Sequence, residues 1–252
     1  MISKCSITSR AKKKGTCFTK IELISLIRAL NHNRKKKVID FVQKNTKKQL
    51  WEKLRDVLGP EEHLWIKHPF IHNINSHSCL EKLSKFTFKP KGPKGQWSWL
   101  TDKQITDAMK QYEKYSNTNF YYAGTRSADY FQNNPKKLTF VKGLLKIGYR
   151  VGIIFNLDPQ RLPGSHWVAV FLNGKGENDY FDSNGDPPNH HIKTFLRKIP
   201  GKTVINKTEY QKKDGSCGLF AMDFILNKVA YNEYIPPKNE NEINNQRREF
   251  FI

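Results

Sequence analysis

The sequence has no run of about 18 apolar residues, which excludes a helical membrane span. Its opening segment, MISKCSITSRAKKKG, lacks an apolar h-region, so no secretory leader is expected. Cysteine is scarce: Cys5, Cys17, Cys79 and Cys217 are too few and too scattered for a disulfide framework, and the expectation is a reducing compartment. Acidic residues are also scarce, 23 against 44 Lys and Arg, which leaves a formal charge of +21. Aromatic residues are not scarce. At 12%, within 37% apolar residues, they argue against wholesale disorder, although 27% charge makes this a polar chain. A length of 252 residues suits one medium domain with an appendage, or two small domains, and is ample for burying a core.

The positive charge is uneven. Residues 1–90 hold 20 Lys/Arg against 7 Asp/Glu, and residues 91–252 hold 24 against 16. A surplus of this size concentrates polyanions and acidic surfaces around the protein, so DNA, RNA or another polyanion is a candidate contact beside plain solubility. Nothing in the pattern indicates base-specific readout.

Residues 1–16 are basic and polar and read as a mobile tail. From Phe18 to Leu30, Ile21, Leu23, Ile24, Leu26, Ile27 and Leu30 recur at helical spacing, with Thr19 and Glu22 placed for a capping box. The basic cluster NHNRKKK (31–37) follows. Val38, Ile39 and Val42, then Leu50 to Leu58, suggest two further helices, the last ended by Gly59-Pro60. This stretch is similar at a few positions to SAP-type nucleic-acid modules; a helical arm that only packs on the main domain is the alternative. His63, His68, His72, His77 and Cys79 include metal-ligand types, but their spacing matches no zinc finger, and surface or capping histidines are the default reading. KPKGPKGQ (89–96) reads as a linker or boundary. Trp99-Leu-Thr-Asp102 then opens a helix to about Tyr115. From residue 138 the pattern turns to short strands: 150–155, 167–172, 179–182 and 203–206. Helices are expected over about 189–198 and 217–229, which makes an α+β domain.

Four residues in the second half carry chemistry. His166 precedes a strand, Asp182 ends the next one, Gln211 lies in a loop and Cys217 begins a helix. A thiol nucleophile works as the thiolate, which a helix N-terminus and an imidazolium both favour. His166 is the candidate base, and Asp182 can accept from its other ring nitrogen. Gln211 can donate to an oxyanion, as can the Cys217 N–H. Gly215 and Gly218 leave room for a substrate backbone. Singly, each has an ordinary structural explanation; the order His, Asp, Gln, Cys is what points to catalysis.

With these segments, GSHWVAVFL, DYFDSNG sixteen residues from His to Asp, and Gln211 six residues before Cys217 in DGSCGLFAMDFIL, the sequence resembles the ubiquitin-like-protein protease and adenain superfamily of cysteine proteases. WLTD (99–102) is similar to the Trp-Leu-x-Asp that opens that fold's core, and the resemblance covers about residues 97–230. Within the superfamily the chain looks most like maturation proteases of large DNA viruses, the African swine fever virus polyprotein protease among them. The resemblance implies a papain-like core with a central mixed sheet flanked by helices over residues 91–252, after a basic helical N-terminal arm over 1–90. It implies His166 as base, Asp182 as its orienter, Cys217 as nucleophile and Gln211 as oxyanion donor. Trp99, Trp167 and Gly218 become substrate-binding residues, the two indoles roofing a passage too narrow for a Cβ. Protein substrates with Gly-Gly-type sites follow, with no metal and no cofactor expected for the chemistry, and a location in the virion and host-cell cytoplasm at the viral factory. The arm is a candidate contact for DNA or another polyanion. A deconjugating enzyme for ubiquitin-like proteins and a non-enzymatic nucleic-acid-binding protein are the competing readings.

Overall fold

The computed structural model describes residues 4–6, 15–34, 38–93, 99–115, 119–174, 176–212 and 215–252. Most of the basic tail, Lys35–Lys37 of the basic cluster, Lys94–Gln96 of the expected linker and Asp214 of the turn before Cys217 lie outside the described residues. The chain forms two compact units, residues 1–90 with Ile252 and residues 91–251. Among the described residues no helix is long and apolar enough to cross a membrane.

The first unit is helical. Helix α1 (Lys20–Asn33) starts in a capping box of Thr19 and Glu22, and α2 (Lys47–Leu58) in one of Thr46 and Gln49. Gly59, at φ +87°, ends α2. Helix α3 (Glu62–Trp65), a 3₁₀ turn (Pro69–Asn73) and α4 (His77–Phe86) follow. Leu23, Leu26, Ile27, Leu50, Leu54, Trp65 and Leu83 close the core, with Phe18 stacked on Trp65.

Three expectations fail in this unit. Val38, Ile39 and Val42 form no helix. The Asn31 side chain takes the Val38 and Ile39 N–H groups and the Ile39 carbonyl, and Asn45 takes the Val42 N–H, so side-chain partners replace the helical ladder. Part of the supposed mobile tail is ordered: Cys5 bridges Phe88 in antiparallel fashion, with Ser6 N–H on Thr87 O and Lys89 N–H on Lys4 O, both at 3.0 Å. That bridge also brings Cys5 to Cys17, and the two form a disulfide with Cα atoms 5.3 Å apart. The expectation of unbridged thiols is therefore corrected, and with it the ground for assigning a reducing compartment. His63, His68, His72 and His77 do not gather: among the described residues Cys5, Cys17 and Glu62 are the group of His, Cys, Asp or Glu side chains close enough to share an ion.

The second unit is built on a five-stranded mixed sheet in the order β1-β2-β3-β4-β5. Helix α5 (Asp102–Tyr115) leads to β1 (Phe120–Ser127), then α6 (Tyr130–Asn133), α7 (Pro135–Lys146), β2 (Arg150–Asn156), β3 (Trp167–Leu172) and β4 (Glu177–Phe181). Helix α8 (His190–Leu196), β5 (Lys202–Ile205), α9 (Cys217–Tyr231) and α10 (Glu240–Phe250) complete it. β1 and β2 run parallel, β2–β3 and β3–β4 antiparallel, and β4 and β5 parallel. Alternation along the strands sorts the core. Ile154, Trp167, Ala169, Phe171 and Phe181 face the side that holds α5, α9 and α10, while Val151, Ile153, Phe155, Val168, Val170 and Tyr180 face α7 and α8. Helix α9 is buried without a break from Cys217 to Ile225, so it is a central helix rather than a surface one. Residues 138–146, expected among the strands, lie in α7. Strand β1 and helix α10 are additional to the sequence expectation.

Candidate active site

His166 sits at the mouth of β3, at the end of the β2–β3 loop. Asn156 fixes that loop: its Oδ1 accepts from Asp158 N at 2.9 Å and from Ser165 N at 3.2 Å. Leu157 N–H donates to His166 O at 3.0 Å. A Cβ at Gly164, where φ is +99°, would run into Asn156, so this close return suits glycine.

Asp182 follows β4 directly. Its Oδ1 lies 2.7 Å from His166 Nε2 and accepts from Asn184 N at 2.8 Å. The turn closes with Gly185 N–H on Asp182 O, and Gly185 takes φ +80° where a side chain would strike Lys207. The antiparallel register opposes Ala169 to Phe181, which makes His166 and Asp182 diagonal neighbours on one face of the sheet.

Cys217 begins α9, where backbone N–H groups lack helical partners and the dipole is positive. The imidazole of His166 hydrogen-bonds both Asp182 and Cys217; with Nε2 on the carboxylate, Nδ1 is the nitrogen left for sulfur. Burial alone would lower the His166 pKa, but the hydrogen bonds to Asp182 and Cys217 and the charges of those groups outweigh it and raise it to about 10. Cys217 is 1% exposed and Asp182 1%. One imidazole thus joins a thiol and a carboxylate in a largely dry setting.

Gln211 is buried against Ser183, the residue that follows Asp182. Ser183 Oγ donates to Gln211 Oε1 at 2.8 Å, and the Ser183 carbonyl accepts from Tyr210 N at 2.7 Å and Gln211 N at 2.9 Å. Trp99 and Trp167 line one cavity of about 590 Å³ together with Leu100, Arg126, Tyr130 and Asp158. Trp99 is 46% exposed, whereas Trp167 is buried and its indole N–H donates to Leu100 O at 2.9 Å. Gly218 does not line this cavity. A Cβ there would meet Leu100 Cδ1 at 3.1 Å and Trp167 Cδ1 at 3.3 Å, so the glycine admits these two side chains. Sequence reasoning missed Ser183, Asn206, Asn156 and Leu100. Ser183 had a signal in its place next to Asp182; the others act through contacts that spacing does not reveal.

No family model matches the chain. A protein of Acanthamoeba polyphaga mimivirus, provisionally named a thiol protease, is 27% identical over 247 residues, covering 87% of this chain and 82% of its own. The cysteine protease of African swine fever virus is 22% identical over 246 residues, covering 84% and 86%; copies from other isolates are named SUMO-1 cysteine proteases. The crystal structure of the African swine fever virus protease superposes with a TM-score of 0.64 at 19% identity, covering 100% of this chain and 96% of that one, and shares its fold. Over most of its length the chain is similar to viral thiol and cysteine proteases, and it shares the fold of the African swine fever virus protease. This cysteine protease is of the viral type, and its α+β architecture is the one expected for the superfamily.

Proposed function

We propose that the protease cleaves structural polyproteins after Gly-Gly-type sites during virion maturation, with Cys217 as nucleophile, His166 as general base and acid, Asp182 as its orienter and Gln211 as oxyanion donor. The observation that carries this reading is the single imidazole hydrogen-bonded to both the Cys217 thiol and the Asp182 carboxylate. Cys217 Sγ gives its proton to His166 and attacks the carbonyl carbon after a glycine. The oxyanion is held by Gln211 and by N–H groups at the start of α9. As the peptide C–N bond breaks, His166 returns the proton to the leaving amine, and the acyl group remains as a thioester. His166 then takes a proton from water as it attacks the thioester carbon, the C–S bond breaks, and the acid is released as the proton returns to Cys217. Trp99 and Trp167, which line one cavity, act as the roof that admits glycine backbone.

Residues 1–90 act as a basic helical arm, and residues 91–252 as the protease core. The arm's excess of Lys and Arg favours contact with DNA or another polyanion, in the virion and at the viral factory in the host cytoplasm. The names of the African swine fever virus relatives make SUMO conjugates the competing substrate.

The decisive experiment challenges the purified enzyme with Gly-Gly-X peptides and, in parallel, with SUMO and ubiquitin conjugates. Efficient peptide cleavage without a folded ubiquitin-like moiety supports polyprotein processing; cleavage of conjugates alone assigns deconjugation instead. Cys217→Ala must lose all turnover while keeping the fold, and a variant that retains activity overturns the residue assignment. Loss of DNA affinity on deleting residues 1–90 supports the arm's role, and unchanged affinity refutes it.

A further inference from the structure

Two consecutive residues at the end of β4 hold two different parts of the proposed machinery. Asp182 takes the imidazole. Ser183, next in the chain, takes the oxyanion donor: its hydroxyl bonds Gln211 Oε1 at 2.8 Å, and its carbonyl binds the N–H groups of Tyr210 and Gln211. Ser183 is fully buried and Gln211 nearly so. Here the chain turns out of β4 and the 206–212 loop passes beside it, so the contact is fixed by backbone as well as by side chain.

An amide is useful to an oxyanion at one end only. Its NH₂ stabilises negative charge; its carbonyl oxygen repels it. A glutamine free to flip would spend part of its time the wrong way round. With Ser183 Oγ donating to Oε1, the hydroxyl proton and the amide oxygen are both satisfied; a flipped amide could donate its NH₂ to Oγ instead, but it would take from the buried hydroxyl proton this acceptor and turn Oε1 toward the oxyanion.

We propose that Ser183 is a positioning residue for catalysis: it locks the Gln211 amide with its NH₂ away from Ser183 and available to the oxyanion. The role rests on the assignment of Gln211 given above. Ser183 touches no reacting atom; it acts through Gln211. It also couples the two halves of the site, since any shift at the end of β4 moves the His166 partner and the Gln211 partner together.

The test is a double-mutant cycle on a cleaved Gly-Gly-X peptide, with thermal melts to confirm folding. Ser183→Ala is expected to lower kcat about 10- to 100-fold, a large part of the 100- to 1000-fold that one oxyanion donor is worth, with little change in KM. In the Gln211→Ala background the same substitution should change kcat by less than about twofold, since the group it orients is gone. Ser183→Thr, which keeps the hydroxyl, should recover most of the loss. If Ser183→Ala does not fold, Ser183→Cys, which keeps the volume but weakens the donor, must show the same dependence on Gln211. Wild-type kcat in Ser183→Ala, or an undiminished fall on top of Gln211→Ala, overturns the proposal. Failure of the underlying reading is seen separately, as retained cleavage by Cys217→Ala or an unaffected Gln211→Ala enzyme.

Discussion

Asn206 grips Asp182 by its backbone from both sides: the asparagine Oδ1 accepts the Asp182 N–H at 2.7 Å, and its Nδ2 donates to the Asp182 carbonyl at 2.8 Å. Asn206 follows β5 directly, so the outermost strand of the sheet sets the height of the carboxylate that faces His166. Asn206→Ala should leave both Asp182 backbone groups without these partners. The expected loss is about 1–3 kcal/mol in chemical denaturation, with a drop in kcat and little change in KM.

The pH profile should carry the signature of His166. Its pKa is raised when folded, so the protonated ring contributes stability fully below its ordinary value of 6.5 and loses it as pH rises through about 10. The proposed mechanism needs the protonated imidazole, so kcat/KM should hold into alkaline conditions and fall near that limit. Asp182→Ala should move the fall to lower pH, because one of the groups raising the pKa is gone. Asp223, raised to about 7 by burial in α9, also loses stability as pH rises, so stability is best compared between wild type and variant above neutrality. An unmoved alkaline limb in kcat/KM would contradict the role of Asp182.

Trp99 and Trp167 should separate binding from folding. Trp99 is half exposed, so Trp99→Ala should melt within a degree or two of wild type and raise KM for Gly-Gly substrates. Trp167 is buried and tied to Leu100 O, so Trp167→Ala should lose both stability, by about 3–5 kcal/mol, and activity. Steady-state kinetics beside calorimetry reads the difference.

The Cys5–Cys17 bridge closes a short loop, for which the chain-entropy estimate is about 3 kcal/mol. Cys5→Ser with Cys17→Ser should therefore lower the stability of the first unit by up to that amount. Alkylation of the denatured, unreduced wild type should label two thiols, Cys79 and Cys217, and four after reduction. Four labels without reduction would show the bridge absent in solution.

What could be read from sequence divides along the range of the interactions. Thr19 with Glu22 is a local signal and forms the capping box expected of it. The apolar run after Cys217 is long enough to announce a buried helix. The spacing of His166, Asp182 and Cys217 marks them as candidates, and their side chains meet in hydrogen bonds. Strand β1 escaped because the register slips between Tyr122 and Gly124, breaking the alternation that identifies a strand. Helix α10 escaped because ENEINNQRREF offers only Ile243 and Phe250 as apolar anchors, both buried by distant parts of the chain. Asn31, Asn45 and Asn206 redirect backbone hydrogen bonds through side chains, and composition gives no hint of which backbone groups they choose.

The proposed nucleophile begins a helix that is buried from Cys217 to Ile225, and that has a pharmacological side. Because Cys217 offers almost no surface, a broad-spectrum alkylator has little to collide with, and only a slender electrophile is expected to react with the sulfur. Selective drugs for this enzyme are therefore best sought among narrow peptidomimetic warheads.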